Sequence, residues 1–389
     1  MNDSPAKKSF RILMYCPYFP PEYSGAALQA IALAKALRSR GHHIEFLTER
    51  RAAGDPLDHH QDFKVHRVRC NRHIRHNEII LWSRLFWFFW RHRHDFDIIH
   101  SHGAYYRQTI IGPIARFLGM HSIAKASLAK DDLHNNSKAI VRFLHRWMLR
   151  KIDAYIAISR PLASEFEHMG LPRNKIYLLP NGVDTERFQP VSAQQKRRLR
   201  HALGLPAERV LALFVGVFDR RKNIAWLAHH WVTQQGFTPG AVLVAVGPTS
   251  REPAEAPIKQ ELRTLAQQNP DWLCVHEPTE TIELFYQACD MLILPSFKEG
   301  LPNCILEALA CRLPCVVSDN DWHRELIDEG ETGAIFANND TASLAKALER
   351  AMSICRYNTA STAFMHTAQR FSLPQLATDY EKLYYYLTR

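Results

Sequence analysis

Two glutamates separated by seven residues, Glu299 and Glu307, stand in the stretch PSFKEGLPNCILEALACRLPCVVSD, Pro295–Asp319. A strand over Met291–Leu294 leads into a loop carrying Glu299, Gly300 and Leu301. Pro302 then sits at the first position of a helix, and Ile305–Ala310 reads as that helix. Its first N–H groups, from Asn303 through Cys304 to Ile305, lack a carbonyl one turn back and suit a phosphate. A carboxylate is a poor phosphate ligand. Glu299 in the loop and Glu307 inside the helix are therefore suited to accept hydrogen bonds from sugar and ribose hydroxyls.

A second group supplies positive charge. In FVGVFDRRKN a strand ends at Gly216, and Arg220, Arg221 and Lys222 follow before a helix begins near Asn223. The guanidinium fork and the ammonium point charge can together neutralise a departing diphosphate. Two more positions lie at strand ends. Ser24-Gly25 in YCPYFPPEYSGAA lets a ligand approach the backbone closely, and DIIHSHG brings His100, read as packing, and His102 to a strand's carboxyl end. KASLAKDDLH lies where an acceptor would bind, adding Lys130, Asp131 and Asp132 as acceptor-site candidates.

These positions presuppose strands that end together. Apolar runs at Arg11–Cys16, Ile44–Thr48, Phe63–Val68, Asp97–His100 and Ala154–Ile158 alternate with helical patterns at Ala27–Ser39, Ile79–Trp90 and Tyr106–Leu118. That alternation predicts a parallel sheet covered by helices. PNGVDTERFQP interrupts it with turn signals, and a second series runs from Val210–Val215 to Cys315–Val317. The expected organisation is α/β with two Rossmann-like domains, residues 1–184 and 185–371, facing a central cleft at their strands' carboxyl ends. Residues 372–389 form an amphipathic helix whose apolar stripe, Leu376, Tyr380, Leu383, Tyr384 and Leu387, needs a surface to cover.

Composition removes several classes. The 389 residues, 46% apolar and 23% charged, suit two folded domains and not a disordered chain. Eight cysteines without a C-x-x-C pair argue against a disulfide framework or zinc site and fit a reducing cytosol. No G-x-G-x-x-G follows the first strand and no P-loop occurs, so dinucleotide and P-loop readings lose their support. The net charge of +10 favours phosphates, anionic lipids or nucleic acid without choosing among them. The start lacks a secretory apolar region. The longest apolar run, Glu78–Trp90, falls short of the ~20 residues of a membrane span. Its aromatic part, Leu81–Trp90, flanked by Arg72, Arg75, Arg84, Arg91 and Arg93, either packs beneath the first sheet or lies at a membrane interface. A second basic amphipathic stretch, KAIVRFLHRWMLRK, adds to the interfacial reading.

In this order, PPEYSG, DIIHSH, IAISRPLASEF through LLPNGVDTERF, the basic pair of GVFDRRKN, EGLPNCILE between PS and EALA, and the closing FSLPQLATDYEKLYYYL resemble the family-4 glycosyltransferases of GT-B fold, over almost the whole chain. The resemblance implies a retaining sugar transfer from a nucleotide-diphosphate sugar, UDP- or GDP-linked, to a glycan or lipid-linked acceptor, with no metal or other cofactor required. It implies that Glu299 contacts the donor sugar, Glu307 the ribose hydroxyls, and Arg221 and Lys222 the diphosphate. Gly25 would face the diphosphate from the first domain, and His102 would lie near the transferred sugar. Gly216, Gly300, Leu301, Asn303, Cys304 and Ile305 would complete the donor site, and the final helix would cross back onto the first domain. The partners implied are donor and acceptor, with no nucleic acid; the two basic aromatic stretches add an expected peripheral association with an anionic membrane at the cytoplasmic face. The chain departs from the family's pattern at Ser24-Gly25, Val217, Arg312 and Asp321-Trp322. Two rivals remain: a nucleotide-sugar epimerase of the same architecture, and a non-catalytic nucleotide-sugar-binding scaffold.

Overall fold

The structure, a computed structural model, describes residues 8–50, 57–70, 77–127, 139–237, 240–250, 252–357 and 362–389. It divides into two units, Met1–Gly182 with Leu373–Arg389, and Val183–Ser372.

The first unit is built on an eight-stranded sheet. Its strands in chain order are β1 (Arg11–Tyr15), β2 (His43–Arg50), β3 (Leu57–His60), β4 (Phe63–Arg69), β5 (Ile98–His102), β6 (His121–Ala126), β7 (Ala154–Ala157) and β8 (Ile176–Leu178). They lie side by side as β3-β4-β2-β1-β5-β6-β7-β8. All pairs are parallel except β3 with β4. The chain starts at the middle of the sheet, builds outward through β2, then returns to place β5 on the other flank of β1. That reversal leaves a crevice beyond the carboxyl ends of β1 and β5, where open α/β sheets bind ligands.

One face of this sheet is apolar and covered by two helices. Ile12 and Met14, Phe46, Ile98, Ile123 and Ile156 pack with Ala30, Ile31 and Ala34 of the helix Gly25–Arg38, and with Leu376, Ala377, Tyr380, Leu383 and Tyr384 of the final helix, Leu373–Leu387. The apolar stripe of the last helix thus closes the first unit's core.

The opposite flank holds the aromatic helix, Asn77–Arg91. Leu81, Leu85 and Phe89, four residues apart, are fully buried, whereas Trp87 and Trp90 are 63% and 45% exposed. Within Leu81–Trp90, one stripe packs and the other faces solvent.

The second unit carries a six-stranded parallel sheet made of β9 (Leu211–Val215), β10 (Val242–Val246), β11 (Leu273–His276), β12 (Met291–Leu294), β13 (Cys315–Ser318) and β14 (Gly333–Phe336). The order is β11-β10-β9-β12-β13-β14, so its reversal falls between β9 and β12. The basic loop follows β9 and the Glu299 loop follows β12.

The helix between β12 and β13 spans Asn303–Ala310. Pro302 is its cap, with φ −72° and ψ 113°, and not its first helical residue. It ends in a Schellman motif: the Leu313 N–H donates to Ala308 O at 2.8 Å and the Arg312 N–H to Leu309 O at 3.0 Å. The motif requires a left-handed residue, and Arg312 supplies it at φ +58°. A side chain there costs about 1 kcal/mol relative to glycine. Arg312→Gly is therefore expected to raise the melting temperature of the second unit by about 2–4 °C, measured by differential scanning calorimetry.

Candidate functional site

The β9/β12 crevice of the second unit brings three of the predicted residues into contact. The Lys222 Nζ lies 2.7 Å from Glu299 Oε1, and the Arg221 Nη1 lies 2.9 Å from Glu299 Oε2. Arg221 also donates to Lys298 O at 2.9 Å, while its own carbonyl accepts the Phe297 N–H at 3.0 Å, so the two loops are tied at backbone level. Lys222 and Glu299 are 8% and 6% exposed. The two cations are thus not simply open to a diphosphate, as the sequence suggested. They share Glu299, and Arg221 also reaches Asp219 at 3.4 Å, so two carboxylates lie against the two cations.

The electrostatics follow from that arrangement. Burial would raise the Glu299 carboxyl, but Lys222 and Arg221 outweigh it and bring it down to about 2. Glu299 is therefore a fixed carboxylate at neutral pH, able to accept and never to donate.

Local sequence explains how Lys222 reaches this position. Gly216, directly after β9, has no side chain, and a Cβ there would meet the Lys222 Cε at 3.2 Å. Asp219 receives the Lys222 N–H at 2.7 Å and the Arg221 Nη2 at 3.4 Å, which folds the basic loop back on itself. Burial raises the Asp219 carboxyl, against the two cations. Nothing in the sequence had marked Asp219; a turn acid three residues before a lysine is a common surface pattern.

Glu307 lies one turn inside the helix that follows the loop. Its Oε2 accepts the Tyr286 phenol at 2.6 Å, and among the described residues nothing donates to Oε1. Burial raises this carboxyl, only partly opposed by the Tyr286 hydrogen bond and Arg187. The helix itself has no side-chain cap. Gly300, Leu301, Cys304 and Ile305 are buried around its start, and Asn303 is half-buried.

Sequence reasoning also passed over His323. This ring is fully buried in the short helix Asp321–Arg324, its Nδ1 donates to Ser318 O at 2.7 Å, and its Nε2 has no partner. Burial pushes it down to about 4, against the Ser318 carbonyl and Glu299, so it is neutral with a free lone pair on Nε2. A single histidine after an Asn-Asp-Trp turn carries no signal of this.

Gly25 and His102 belong to the first unit. Gly25 opens the helix Gly25–Arg38, whose cap Ser24 accepts the Ala27 N–H at 3.3 Å. His102 ends β5, is 4% exposed and stacks on His100 at 4.4 Å between ring centroids. Lys130, Asp131 and Asp132 lie outside the described residues, as do Arg72 and Arg75.

Known proteins resemble the chain in sequence and in fold. Residues 23–187 match the family described as Glycosyltransferase Family 4, and residues 209–353 match the one described as Glycosyl transferases group 1. The chain is 27% identical to EpsD of Bacillus subtilis (strain 168) over 210 residues, which is 53% of either protein; it therefore spans about half the length of that relative. It is 26% identical over 275 residues to the UDP-Gal:alpha-D-GlcNAc-diphosphoundecaprenol alpha-1,3-galactosyltransferase of Escherichia coli, covering 66% of this chain and 67% of that one. Anabaena Alr3699/HepE, crystallised in complex with UDP-glucose, superimposes with a TM-score of 0.76 over 96% of this chain and 99% of its own, at 17% identity. With both sheets, both motif-bearing loops and two family matches that divide at the turn after β8, the chain belongs to the family-4 glycosyltransferases and has the GT-B fold.

Proposed function

We propose that the protein is a retaining glycosyltransferase that moves a sugar from a UDP- or GDP-sugar to a glycan or lipid-linked acceptor in the synthesis of a cell-surface polysaccharide or glycolipid. The observation that carries this reading is Glu299 held as a carboxylate between Arg221 and Lys222 at the β9/β12 crevice, beside a helix start with no side-chain cap. In this reading Lys222 and Arg221 meet the negative charge that grows on the diphosphate as the bond to the sugar breaks, an effect set up in advance by the fold. Glu299 accepts from sugar hydroxyls, and Glu307 Oε1 from the ribose. Transfer proceeds on one face of the ring. The anomeric C–O bond to the diphosphate breaks, the acceptor oxygen bonds to the same face, and the acceptor's proton passes to the departing phosphate. In this reading no metal takes part. The roles of Gly25 and His102 rest on the resemblance alone.

The test is product analysis with a panel of nucleotide sugars, with and without candidate acceptors. Acceptor-dependent release of nucleoside diphosphate, with the anomeric configuration retained by NMR, supports the reading. Conversion of the donor's sugar without acceptor turns it into the epimerase, and binding without any product turns it into the scaffold.

Membrane association is part of the same proposal, with the protein working at the cytoplasmic face. No described helix is long and apolar enough to cross a bilayer. Three helices of the first unit, Asn77–Arg91, Ile111–Leu118 and Ala139–Leu149, instead expose Trp87, Trp90, Phe117, Phe143 and Trp147. Phe86 and Phe117 join two of them at 6.1 Å between rings. Arg93 lies over Trp90 and Lys151 over Trp147. Aromatic rings edged with cations suit an anionic headgroup layer. Co-sedimentation with phosphatidylglycerol vesicles at low salt is expected, weakened at high salt and by Trp87→Ser with Phe143→Ser; recovery in the supernatant at low salt would remove this part.

A further inference from the structure

The carboxyl ends of β1, β5 and β6 carry a polar cluster of which the donor-side reading uses His102 alone, and it lies wholly within the first unit. On the face covered by the final helix, β5 runs Ile98, His100, His102 and β6 runs Ile123, Lys125, so each strand starts apolar and ends polar. His102 and Lys125 are register partners. Tyr15 pairs with Ser101, which sets the next residue, Cys16, abreast of His102 on the other side. Lys125, His100 and His102 are at most 4% exposed.

Among the described residues Lys125 has no acidic partner, and its Nζ makes no hydrogen bond or ion pair there; it lies 5.6 Å from the centre of the Tyr380 ring. The charged or titratable groups acting on it are Cys16, His100 and His102. His100 Nδ1 pairs with the Tyr384 hydroxyl at 3.1 Å, but Nε2 of His100, Nε2 of His102 and the Tyr380 hydroxyl find no partner among the described residues. A buried ammonium without a counter-ion is among the most costly groups a core can hold. Burial brings Lys125 down to about 7. The strand would be satisfied by an apolar residue, since its neighbours Ile123, Ala124 and Ala126 are apolar and buried. The cluster also lies close to the surface: Ser127, two residues on, is half-buried, and Tyr105, three beyond His102, is exposed.

An ammonium, an imidazole and a phenol with free hydrogen-bonding capacity at one sheet edge call for negative charge. A neutral hydroxyl would be bound as well by an amide or another hydroxyl, at none of this cost. We propose that Lys125, with His102, binds an anionic oxygen group, a phosphate or a carboxylate, carried by the sugar acceptor. The word acceptor rests on the transferase reading above; the anion site does not.

The experiment is calorimetric titration of the full chain with inorganic phosphate, glucose 6-phosphate, glucuronate and glucose, in wild type, Lys125→Met, Lys125→Gln and Lys222→Ala. At least one anionic probe is expected to bind wild type, and to bind both Lys125 variants at least about tenfold more weakly, a change of 1.4 kcal/mol. Lys222→Ala, altered in the other unit, is expected to keep that binding. Phosphate-bearing probes and glucuronate separate the two anion types. Lys125→Met is expected to melt about 2–4 °C higher, because a functional charge has been removed from an apolar site. The proposal is overturned if no anionic probe binds wild type, if the Lys125 variants bind every probe as wild type does, if only Lys222→Ala loses binding, or if Lys125→Met folds and melts lower; if Lys125→Met does not fold, Lys125→Gln decides the binding. Binding is read without donor or turnover, so failure here leaves sugar transfer standing, and failure of the transfer assays leaves this site readable.

Discussion

Lys222→Ala lowers the rate of sugar transfer at least ~100-fold in protein that remains folded, on the scale of losing one preorganised charge partner for a developing anion. The argument is positional. Lys222 reaches its place because Gly216 leaves room for its stem and Asp219 fixes its backbone, so no neighbouring cation can substitute. Arg221 is committed to Glu299 and Lys298 O through its own Nη1. Arg220, two residues earlier, is exposed, and its backbone N–H bonds Glu255. Arg220→Ala is accordingly the control, with a change below about twofold, as for most surface substitutions. A Lys222→Ala enzyme that turns over at the wild-type rate would remove the central role of the basic pair.

Glu299→Gln has two expected effects, and both are large. Transfer falls at least ~100-fold, because an amide cannot replace a fixed carboxylate facing a hydroxyl beside two cations. The second unit also loses on the order of 3 kcal/mol, because Lys222 stays buried without its counter-charge. The same pair sets an acid limit. The Glu299 carboxyl sits near 2 in the folded protein against an ordinary 4.5, so its contribution is complete above pH 4.5 and is lost as pH falls towards 2. Urea denaturation followed from pH 6 to pH 3 should show wild type converging on Glu299→Gln; parallel curves would mean that the ion pair contributes nothing to stability.

The elements most legible in the sequence were those whose local pattern agrees with their buried state. β1, β2, β9 and β12 are short apolar runs closed by turn residues, and each lies where the pattern put it to within two or three residues. β6 was missed for the reason that makes it interesting: HSIAKA breaks its apolar run with a lysine, and a buried lysine looks like a loop residue until its neighbours are known. β3 escaped for another reason. It is the antiparallel edge, LDHH, and its hairpin turns through Gln61 and Asp62 at φ +48° and +66°, where glycine or asparagine would have given the signal. At the site, Glu299 and Glu307 were readable because loop and helix are contiguous in sequence. Their binding partners were not: Arg221 and Lys222 come from the loop after β9, and Tyr286 from another helix, and only the β9–β12 adjacency brings these groups together.

The final helix sets an order on the making of the protein. Its Glu381, 4% exposed, is held by Arg40 at 2.5 Å and His42 at 2.8 Å, while Tyr380 and Tyr384 cap the histidine-bearing strand end. During ribosomal synthesis the whole second unit emerges before this segment exists, so the inserted lobe can mature while the other lobe still shows a partly uncovered greasy sheet to chaperones. A stop codon that deletes only the last turns would thus strike the earliest-made half of the molecule, and its damage would surface as misfolding there and not at the sugar-nucleotide end.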